Sequence, residues 1–339
     1  MENQKPLILS VRNLKTYFFM DEGTVKAVED ASFDVEPGKT LGIVGESGCG
    51  KSVTVRSILR IVERPGRIVA GQVLLYRNGP DSRSDHVDLT QLEPNGSEML
   101  AIRGDEIALI FQEPMTSLSP VHTIGNQLIE AILLHKQMTR REAREFAADL
   151  LHQVGIPRPA GRLEEYSFQL SGGLRQRAMI AIALSCDPRL LIADEPTTAL
   201  DVTTQGQILD LLRSLQEERG MAIILITHNL GVIAEMADDV VVMYLGHTVE
   251  KGPVDDIFHA PKHPYTQSLL QSIPSIQSRP RVNLPTITGS VPHPYNRPSG
   301  CSFHPRCTQN IVGVCEARVP SLLPVGERQE VSCFLYEHE

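Results

Sequence analysis

The sequence predicts an α/β protein with a mostly parallel core sheet, and three features lead to that prediction. Short apolar runs with strand character recur along the chain, and several of them end in a glycine or a polar residue. Between them lie stretches with apolar residues four positions apart, such as Ile124, Leu128 and Ile132, a spacing typical of helices. A parallel sheet flanked by helices accommodates this alternation of strands and helices.

Composition and charge indicate an ordinary globular protein. The 339 residues are 41% hydrophobic and 22% charged, which allows one large domain with a smaller one, or two modest ones. The net charge is −9 without a long block of Lys or Arg, which argues against a general nucleic-acid binder. We see no run of about 18 apolar residues and no signal-peptide pattern, so we expect a cytosolic protein. In that compartment, the six cysteines are expected to be thiols or metal ligands rather than disulfides.

The first part of the chain predicts antiparallel strands. Residues 7–36 contain the extended runs LILSVRNLKTYF and VKAVEDASFDV, joined by the turn-like MDEG. An aromatic residue such as Phe18 in this stretch usually packs in the core, and the alternative is a stacking platform for an adenine ring. A further strand is expected around residues 69–76, and the polar stretch 77–98 is expected to be a surface insertion.

Residues 41–52, LGIVGESGCGKS, predict a phosphate-binding loop. An apolar strand leads into the pattern Gly-x4-Gly-Lys-Ser, and a helix is expected at residues 53–62. In such a P-loop, backbone N–H groups surround a phosphate, Lys51 reaches the outer phosphates and the Ser52 hydroxyl binds Mg2+. The sequence therefore predicts nucleoside triphosphate binding. The expected nucleotide-binding residues of the loop are Gly45, Ser47, Gly48, Cys49, Gly50, Lys51, Ser52 and Val53.

The middle of the chain predicts a strand, a helical insert and a second glycine turn. A run of strand character at residues 106–111 ends in Gln112, and the pattern from Glu113 to about Leu170 becomes helical. Ser171, Gly172 and Gly173 then open another helix. A glycine turn at a helix N-terminus is either an anion site or a plain structural cap, and the residues leave both open.

The remaining elements complete the core. Apolar strands are expected at residues 190–193 and 222–226, with a helix at 203–218 between them. A hairpin at residues 240–249 is followed by a helix at 261–273. Residues 274–300 are rich in Pro and Ser and are expected to be irregular.

Four apolar runs end in polar or glycine features that suit phosphoryl transfer. These features are the P-loop, Gln112, the pair Asp194 and Glu195, and His228. Each has a plainer explanation alone, since such residues are usually turn or surface groups. In a parallel sheet, however, they are expected to gather at the carboxyl ends of the strands.

The expected roles follow from chemistry. Asp194 suits a carboxylate that holds Mg2+ together with Ser52, and Glu195 suits a general base for the attacking water. Gln112 is expected to bind Mg2+ and water, and His228 to contact the γ-phosphate.

The ordered motifs resemble those of the ABC ATPase family. GESGCGKS, FQEP, LSGGLRQR, LLIADEP, TTALD and ITHNL are similar to its Walker A, Q-loop, signature, Walker B, D-loop and H-loop. The resemblance implies two ATP molecules sandwiched between two such domains, with Ser171, Gly172 and Gly173 contacting ATP bound by the partner. It implies that Asp201 lies at the dimer seam and that Phe18 stacks on adenine. Leu174 replaces the Gln found in many signatures, which puts equal activity of the two composite sites in question.

The chain further resembles the ATP-binding subunits of dipeptide and oligopeptide importers. FQEPMTSLSPVHTIG, HAPKHPYTQSLL and the late cysteines carry this resemblance over nearly the whole chain. It implies two membrane permeases, which the loop after Gln112 would contact, a second ATPase subunit that is identical or different, and an external solute-binding protein. The implied location is the cytoplasmic face of the cell membrane. We therefore expect an ATPase domain at residues 1–260, with a helical subdomain at about 113–180, and a C-terminal extension at 261–339.

Four cysteines in the tail form a candidate metal site. Cys301, Cys307, Cys315 and Cys333 do not have the spacing of a zinc knuckle or of a familiar ferredoxin. The family resemblance implies a [4Fe-4S] cluster, and zinc and unliganded thiols remain the alternatives. A structural role is expected, because the tail has little core of its own.

The sequence thus predicts an ATPase that couples ATP binding and hydrolysis to peptide import. One alternative is the same machine with another solute, such as nickel, glutathione or an oligosaccharide. A soluble ABC ATPase of DNA repair or translation is disfavoured by the single set of motifs and the acidic balance. A regulatory module without turnover is disfavoured by the presence of Glu195 and His228.

Overall fold

The computed structural model describes residues 6–77, 86–113, 117–272, 287 and 289–337. The chain divides into two compact units. The first is drawn from Met1–Ile8, Val35–Lys39 and Gln91–Ile226. The second is drawn from Leu9–Asp34, Thr40–Thr90 and Thr227–Glu339.

Strands and helices alternate through most of the described chain. The strands are β1 (Leu9–Met20), β2 (Gly23–Val35), β3 (Thr40–Val44), β4 (Gly66–Tyr76), β5 (His86–Asp88), β6 (Ile107–Ile110), β7 (Leu190–Asp194), β8 (Ala222–Ile226), β9 (Asp239–Tyr244), β10 (His247–Pro253), β11 (Leu323–Pro324) and β12 (Glu330–Val331). The helices are α1 (Lys51–Ile58), α2 (Ser97–Asp105), α3 (Ile124–His135), α4 (Arg140–Gln153), α5 (Pro159–Arg162), α6 (Gly172–Ala183), α7 (Val202–Arg219), α8 (Leu230–Met236), α9 (Val254–His259) and α10 (Pro264–Gln271).

The first unit contains parallel strands. β7 pairs with β6 on one side, with Leu190 opposite Ile107, and with β8 on the other, with Leu190 opposite Ala222. Every residue of β7 and β8 is buried, which explains their continuous apolar sequences. Because the three strands run in the same direction, their carboxyl ends lie at one edge.

Two helices of the first unit, α3 and α4, begin at threonine side-chain caps. Thr123 accepts a hydrogen bond from Asn126 N–H at the start of α3, and Thr139 forms a reciprocal capping box with Glu142 at the start of α4. The expected apolar face of α3 is buried. In α4, Ala147 and Leu150 are buried while Phe146 is only half-buried.

The second unit combines antiparallel and parallel pairs. β4 pairs antiparallel with both β1 and β5, and β9 pairs antiparallel with β10 through the turn at Leu245 and Gly246. β3 runs parallel to β9, with Leu41 opposite Asp239. β12 adds to β10, so the last part of the chain extends this sheet.

Several boundaries differ from the sequence expectations. α1 begins at Lys51 and ends at Ile58, short of residue 62, and Arg60 then adopts a left-handed φ of 57°. The stretch 77–98, expected to be a surface insertion, contains β5, which joins the sheet; residues 78–85 lie outside the described residues. The helix expected at 261–273 begins only after His263, whose ring accepts from Tyr265 N–H, and the separate helix α9 precedes it. Ile273 and most of the stretch expected to be irregular also lie outside the described residues.

Candidate nucleotide site

The P-loop of the second unit has glycines where backbone comes close. Gly45 follows β3 with a φ of 150°, and a Cβ atom there would lie 2.2 Å from the Met243 carbonyl oxygen. A Cβ at Gly50, with a φ of 102°, would lie 2.4 Å from the Ala27 carbonyl oxygen. At either position, the side chain of any other residue would collide with backbone, so only glycine fits.

Lys51 is folded onto the loop itself. It is 7% exposed, and its Nζ donates to the carbonyl oxygens of Gly45 at 2.8 Å and Glu46 at 3.2 Å. The ammonium group also lies 3.7 Å from the sulfur of Cys49, whose pKa is raised by burial. The loop thus holds a positive charge at the beginning of α1, where the helix dipole also favours an anion.

The other predicted loop residues differ in exposure. Ser47 and Gly48 are exposed, Cys49 is buried, and Gly50, Ser52 and Val53 are half-buried. Their nucleotide-binding roles stay predictions.

Glu195 lies at the centre of a hydrogen-bond network in the first unit. Its Oε2 accepts from Gln112 Nε2 at 3.2 Å and from Thr198 Oγ1 at 2.8 Å. Its backbone has a φ of 49°, a left-handed conformation that costs a non-glycine residue about 1–2 kcal/mol. The Ile226 carbonyl, at the end of β8, accepts from Glu195 N–H at 2.8 Å. The network and the strand end thus hold this carboxylate in one orientation.

The remaining predicted catalytic residues lie at strand ends. Asp194 is the last residue of β7 and is 5% exposed, and Gln112 follows β6 by two residues and is exposed. His228 is an exposed residue of the second unit, next to the Asn229 cap of α8. The structure brings Gln112 to Glu195 within the first unit. The convergence of these residues with the P-loop stays a prediction.

The residues implied to face a partner's ATP are at helix starts of the first unit. Ser171 is the exposed N-cap of α6, and its Oγ accepts from Leu174 N–H at 3.4 Å. Gly172 is exposed, and a Cβ at Gly173 would lie 2.8 Å from Thr204. Asp201 caps α7 by accepting from Thr204 N–H and Oγ1, which lowers its pKa. Of the two interpretations left open for the serine–glycine turn, the structural cap is therefore present, and the anion site stays a prediction.

Phe18 lies in β1 opposite Gly66. A Cβ at Gly66 would come within 2.7 Å of its ring, and the side chain is half-buried. The neighbouring Tyr17 instead donates its hydroxyl to Glu29 at 2.9 Å, and burial together with this bond raises the pKa of Tyr17 to about 12. Adenine stacking by Phe18 stays a prediction.

Contacts to the P-loop from the late part of the chain were missed by the sequence analysis. Arg306 donates to both carboxylate oxygens of Glu46, at 2.7 and 3.1 Å, and the Tyr265 hydroxyl accepts from Glu46 N–H at 2.9 Å. Arg306 is separated from Glu46 by 260 positions, so no local pattern could reveal the pair. Thr198 was also missed, although it lies only three residues after Glu195.

The four tail cysteines are electrostatic neighbours in the second unit. None of the six cysteines of the chain forms a disulfide bond. Burial, together with negative charge on each of the other three tail cysteines, raises the pKa of Cys333 to about 12. Backbone N–H groups are also close, since Ile311 donates to the sulfur of Cys315 at 3.4 Å. Within the described ranges, no three His, Cys, Asp or Glu side chains are arranged to hold a metal ion.

Among the described helices, not one combines the length and the apolar character that a bilayer span needs.

Comparison with known proteins identifies the class to which this fold and these motifs belong. A family described as "ABC transporter" matches residues 28–198. The chain belongs to the ABC transporter family, and its ABC ATPase fold and its expected ATP binding are confirmed. A second family, described as "Oligopeptide/dipeptide transporter, C-terminal region", matches residues 249–315. The resemblance to peptide-importer ATP-binding subunits is thereby confirmed.

Curated relatives are similar over nearly the full length. The chain is 49% identical over 333 residues to "Oligopeptide transport ATP-binding protein AppD" of Bacillus subtilis (strain 168), covering 98% of both chains. It is 48% identical over 336 residues to "Putative peptide import ATP-binding protein BOV_A0348" of Brucella ovis, covering 97% of both.

Solved structures of ABC cassettes share the fold. A dimeric post-hydrolysis state of the ATP-binding cassette MJ0796 bound to ADP and Pi matches with a TM-score of 0.62 and 26% identity. The match covers 73% of this chain and 98% of that chain. The cbiO1 protein of Clostridium perfringens matches with a TM-score of 0.60 at 23% identity, covering 76% and 92%.

Proposed function

We propose that this chain is the ATP-hydrolysing subunit of a membrane importer for dipeptides and oligopeptides. The observation that carries the proposal is the near full-length similarity to ATP-binding proteins named for oligopeptide transport and peptide import. The match of residues 249–315 to the C-terminal region of such transporters supports it independently of the ATPase motifs.

Hydrolysis would depend on Glu195 as the general base. Hydrogen bonds from Gln112 and Thr198 orient its side chain through Oε2, and the carboxylate would accept a proton from the attacking water. Lys51 would exchange its loop carbonyls for the outer phosphates, and His228 would contact the γ-phosphate. Ser52, Gln112 and Asp194 are oxygen ligands that suit Mg2+, which would neutralise phosphate charge when bound.

A second ATPase subunit would complete each nucleotide site. Ser171, Gly172 and Gly173 would contact ATP held by the P-loop of a partner chain, with Asp201 at the seam and Phe18 on the adenine. The exposed serine cap of α6 supports this assignment, and the relative MJ0796 was solved as a dimer.

The other partners follow from the class of importer. Two membrane permeases would bind the chain at the cytoplasmic face of the membrane, and an external solute-binding protein would deliver the peptide. The division into an ATPase domain at residues 1–260, with a helical part at about 113–180, and an extension at 261–339 belongs to this proposal.

We further propose that Cys301, Cys307, Cys315 and Cys333 hold a [4Fe-4S] cluster, with zinc as the alternative. Four cysteines in one part of the chain, close enough for the other three to affect the pKa of Cys333 and with the Ile311 N–H beside the sulfur of Cys315, have the chemistry of a cluster site. Loading would require the side chains to converge, because their present arrangement does not suit a metal ion. The group would join segments of the tail that are far apart in sequence.

Peptide import can be tested with the chain assembled with its permeases and solute-binding protein in liposomes. Labelled dipeptides and oligopeptides should accumulate with ATP, and Glu195→Gln should abolish accumulation. Uptake of nickel, glutathione or an oligosaccharide in place of peptides would contradict the proposed substrate. Failure of the chain to assemble with any membrane permease would instead favour a soluble ABC ATPase.

The metal centre can be tested by visible absorption, paramagnetic resonance and metal analysis of anaerobically purified protein. We expect about four irons per chain, and loss of that iron in Cys307→Ser but not in Cys186→Ser. Stoichiometric zinc, or no metal at all, would contradict the cluster.

A further inference from the structure

We propose that Arg306 is a positioning residue for the nucleotide, which neutralises Glu46 and thereby allows the P-loop to hold a polyphosphate. The inference rests on the proposed binding of ATP at this loop. It assigns part of the nucleotide site to the C-terminal extension, about 260 positions away from the loop.

A carboxylate within a phosphate-binding loop is electrostatically unfavourable by itself. Glu46 follows Gly45 directly, and its backbone carbonyl is one of the groups that accept from Lys51. A polyphosphate placed at the start of α1 would be repelled by the Glu46 charge at short range. Some other group must therefore compensate that charge.

Arg306 compensates it with a bidentate ion pair. The guanidinium donates to both carboxylate oxygens of Glu46, and its side chain is only 5% exposed. Such a fork-to-fork arrangement fixes both orientation and charge. The Glu46 carboxylate raises the pKa of Arg306 above its already high value, so the cation persists at any physiological pH.

The surrounding aromatic side chains hold Arg306 in place. Arg306 ends a single 3-10 turn, His304–Arg306, and its backbone N–H donates to the carbonyl oxygen of Phe303 at 2.9 Å. Phe303 is 2% exposed and packs edge-on against Tyr244 and Tyr265, with ring centroids 5.2 and 5.3 Å apart. The Tyr244 hydroxyl accepts a further bond from Arg306 at 3.3 Å. The cation therefore reaches the P-loop from a packed support rather than from a free side chain.

Tyr265 supports the same loop residue through the backbone. Its hydroxyl accepts from Glu46 N–H at 2.9 Å, and its ring is fully buried at the start of α10. The extension thus holds Glu46 at both its carboxylate and its amide, which also orients the loop.

The test compares charge-removing variants of the full-length protein. Arg306→Gln, Glu46→Gln and the double variant are titrated with fluorescent N-methylanthraniloyl ATP and ADP in the absence of Mg2+. Arg328→Gln is the control, because Arg328 forms an ion pair with Asp239 in the same unit, with one guanidinium nitrogen 2.9 Å from each carboxylate oxygen.

Repulsion by an uncompensated Glu46 predicts a specific pattern. Arg306→Gln should weaken the binding of ATP about tenfold and the binding of ADP about threefold, since the repulsion grows with the charge of the ligand. The loss should shrink as salt is added. The double variant should bind ATP within about twofold of the parent, because the net charge at these two positions is zero in both, and Arg328→Gln should also bind like the parent.

Two results would overturn the inference. One is unchanged ATP affinity in Arg306→Gln; the other is a double variant that binds as weakly as Arg306→Gln, which indicates a purely structural role. If Arg306→Gln does not fold, Arg306→Lys is tested in its place. Arg306→Lys should keep ATP affinity within about threefold of the parent, because the charge remains. A tenfold loss of ATP affinity in Arg306→Lys would also overturn the inference. A parental chain that binds neither nucleotide would also refute the proposed function, whereas the first two results leave that function intact.

Discussion

The general-base region and the P-loop are held in place by contacts of very different range. Glu195 is oriented by Thr198, three residues later, and by Gln112, which follows the strand paired with its own. Glu46 in the P-loop is held by Arg306 and Tyr265, 260 and 219 positions later. The first region is thus assembled by strand ends within one sheet, whereas the second depends on the C-terminal extension.

This difference shows that the extension is more than an appended tail. Its aromatic cluster and Arg306 pack onto the loop that is proposed to bind phosphate. Changes near Glu195 should therefore affect the chemical step, and changes in the extension should affect stability and nucleotide binding.

The largest effect is expected at the general base. Glu195→Gln should lower ATP turnover of the full chain about 10³-fold, because an amide cannot accept the proton of the attacking water. ATP affinity should remain close to that of the parent, measured by titration with the fluorescent nucleotide. Thr198→Ala, which removes only an orienting bond, should lower turnover about tenfold. Parental turnover in Glu195→Gln would remove this residue from the role of base.

The next largest effect concerns how tightly the P-loop is packed. Gly45→Ala should lower the free energy of unfolding by about 3 kcal/mol or more, because its Cβ would collide with the Met243 carbonyl. Gly48→Ala is the matched control in the same loop, since its Cβ would meet no heavy atom within 4 Å. It should cost only about 1 kcal/mol, for its φ of 78°. Urea unfolding measures both, and equal losses would contradict the close packing of Gly45.

A smaller, pH-dependent effect tests the extension. His263 is 1% exposed, and burial lowers its pKa to about 3. An unfolded histidine titrates at about 6.5, so the unfolded chain binds the proton first and stability falls as pH drops below that value. The contribution of His263 between pH 7 and pH 5 is about 2 kcal/mol.

His263→Asn should remove that contribution while keeping a side chain that can cap α10. Denaturant unfolding at the two pH values gives the measurement, and His259→Asn, at the exposed end of α9, is the control. An unchanged pH dependence in His263→Asn would show that this ring is not the titrating group. His247, whose pKa burial lowers to about 4, would then be the next candidate.

The smallest effect separates the two contacts that hold Glu46. Tyr265→Phe removes only the acceptor for Glu46 N–H and should cost about 1 kcal/mol of stability, with ATP affinity changed less than threefold. Tyr336→Phe, which loses a hydroxyl bond to the Lys262 carbonyl, is the control. A tenfold loss of ATP affinity in Tyr265→Phe alone would indicate that the amide contact, rather than the charge of Arg306, is the main link.

The sequence predicted the elements whose physics is local. The glycines of the P-loop, the buried run of β7 and the helix start at Ser171 can be recognised from short patterns, because backbone freedom, a continuous apolar run and a helix start involve neighbouring residues. Some helix boundaries were predicted wrongly: α1 was expected to reach residue 62 and ends at Ile58.

What the sequence determined by itself is therefore the class of fold and a set of residues expected to serve phosphate chemistry. Only the tertiary structure decided that Arg306 compensates Glu46, that Tyr265 takes up a P-loop amide and that His263 is buried. These contacts depend on how distant segments pack, and a pair 260 positions apart leaves no periodicity or spacing by which it could be predicted. The sequence shows only that Glu46 is acidic, and its partner was set by packing.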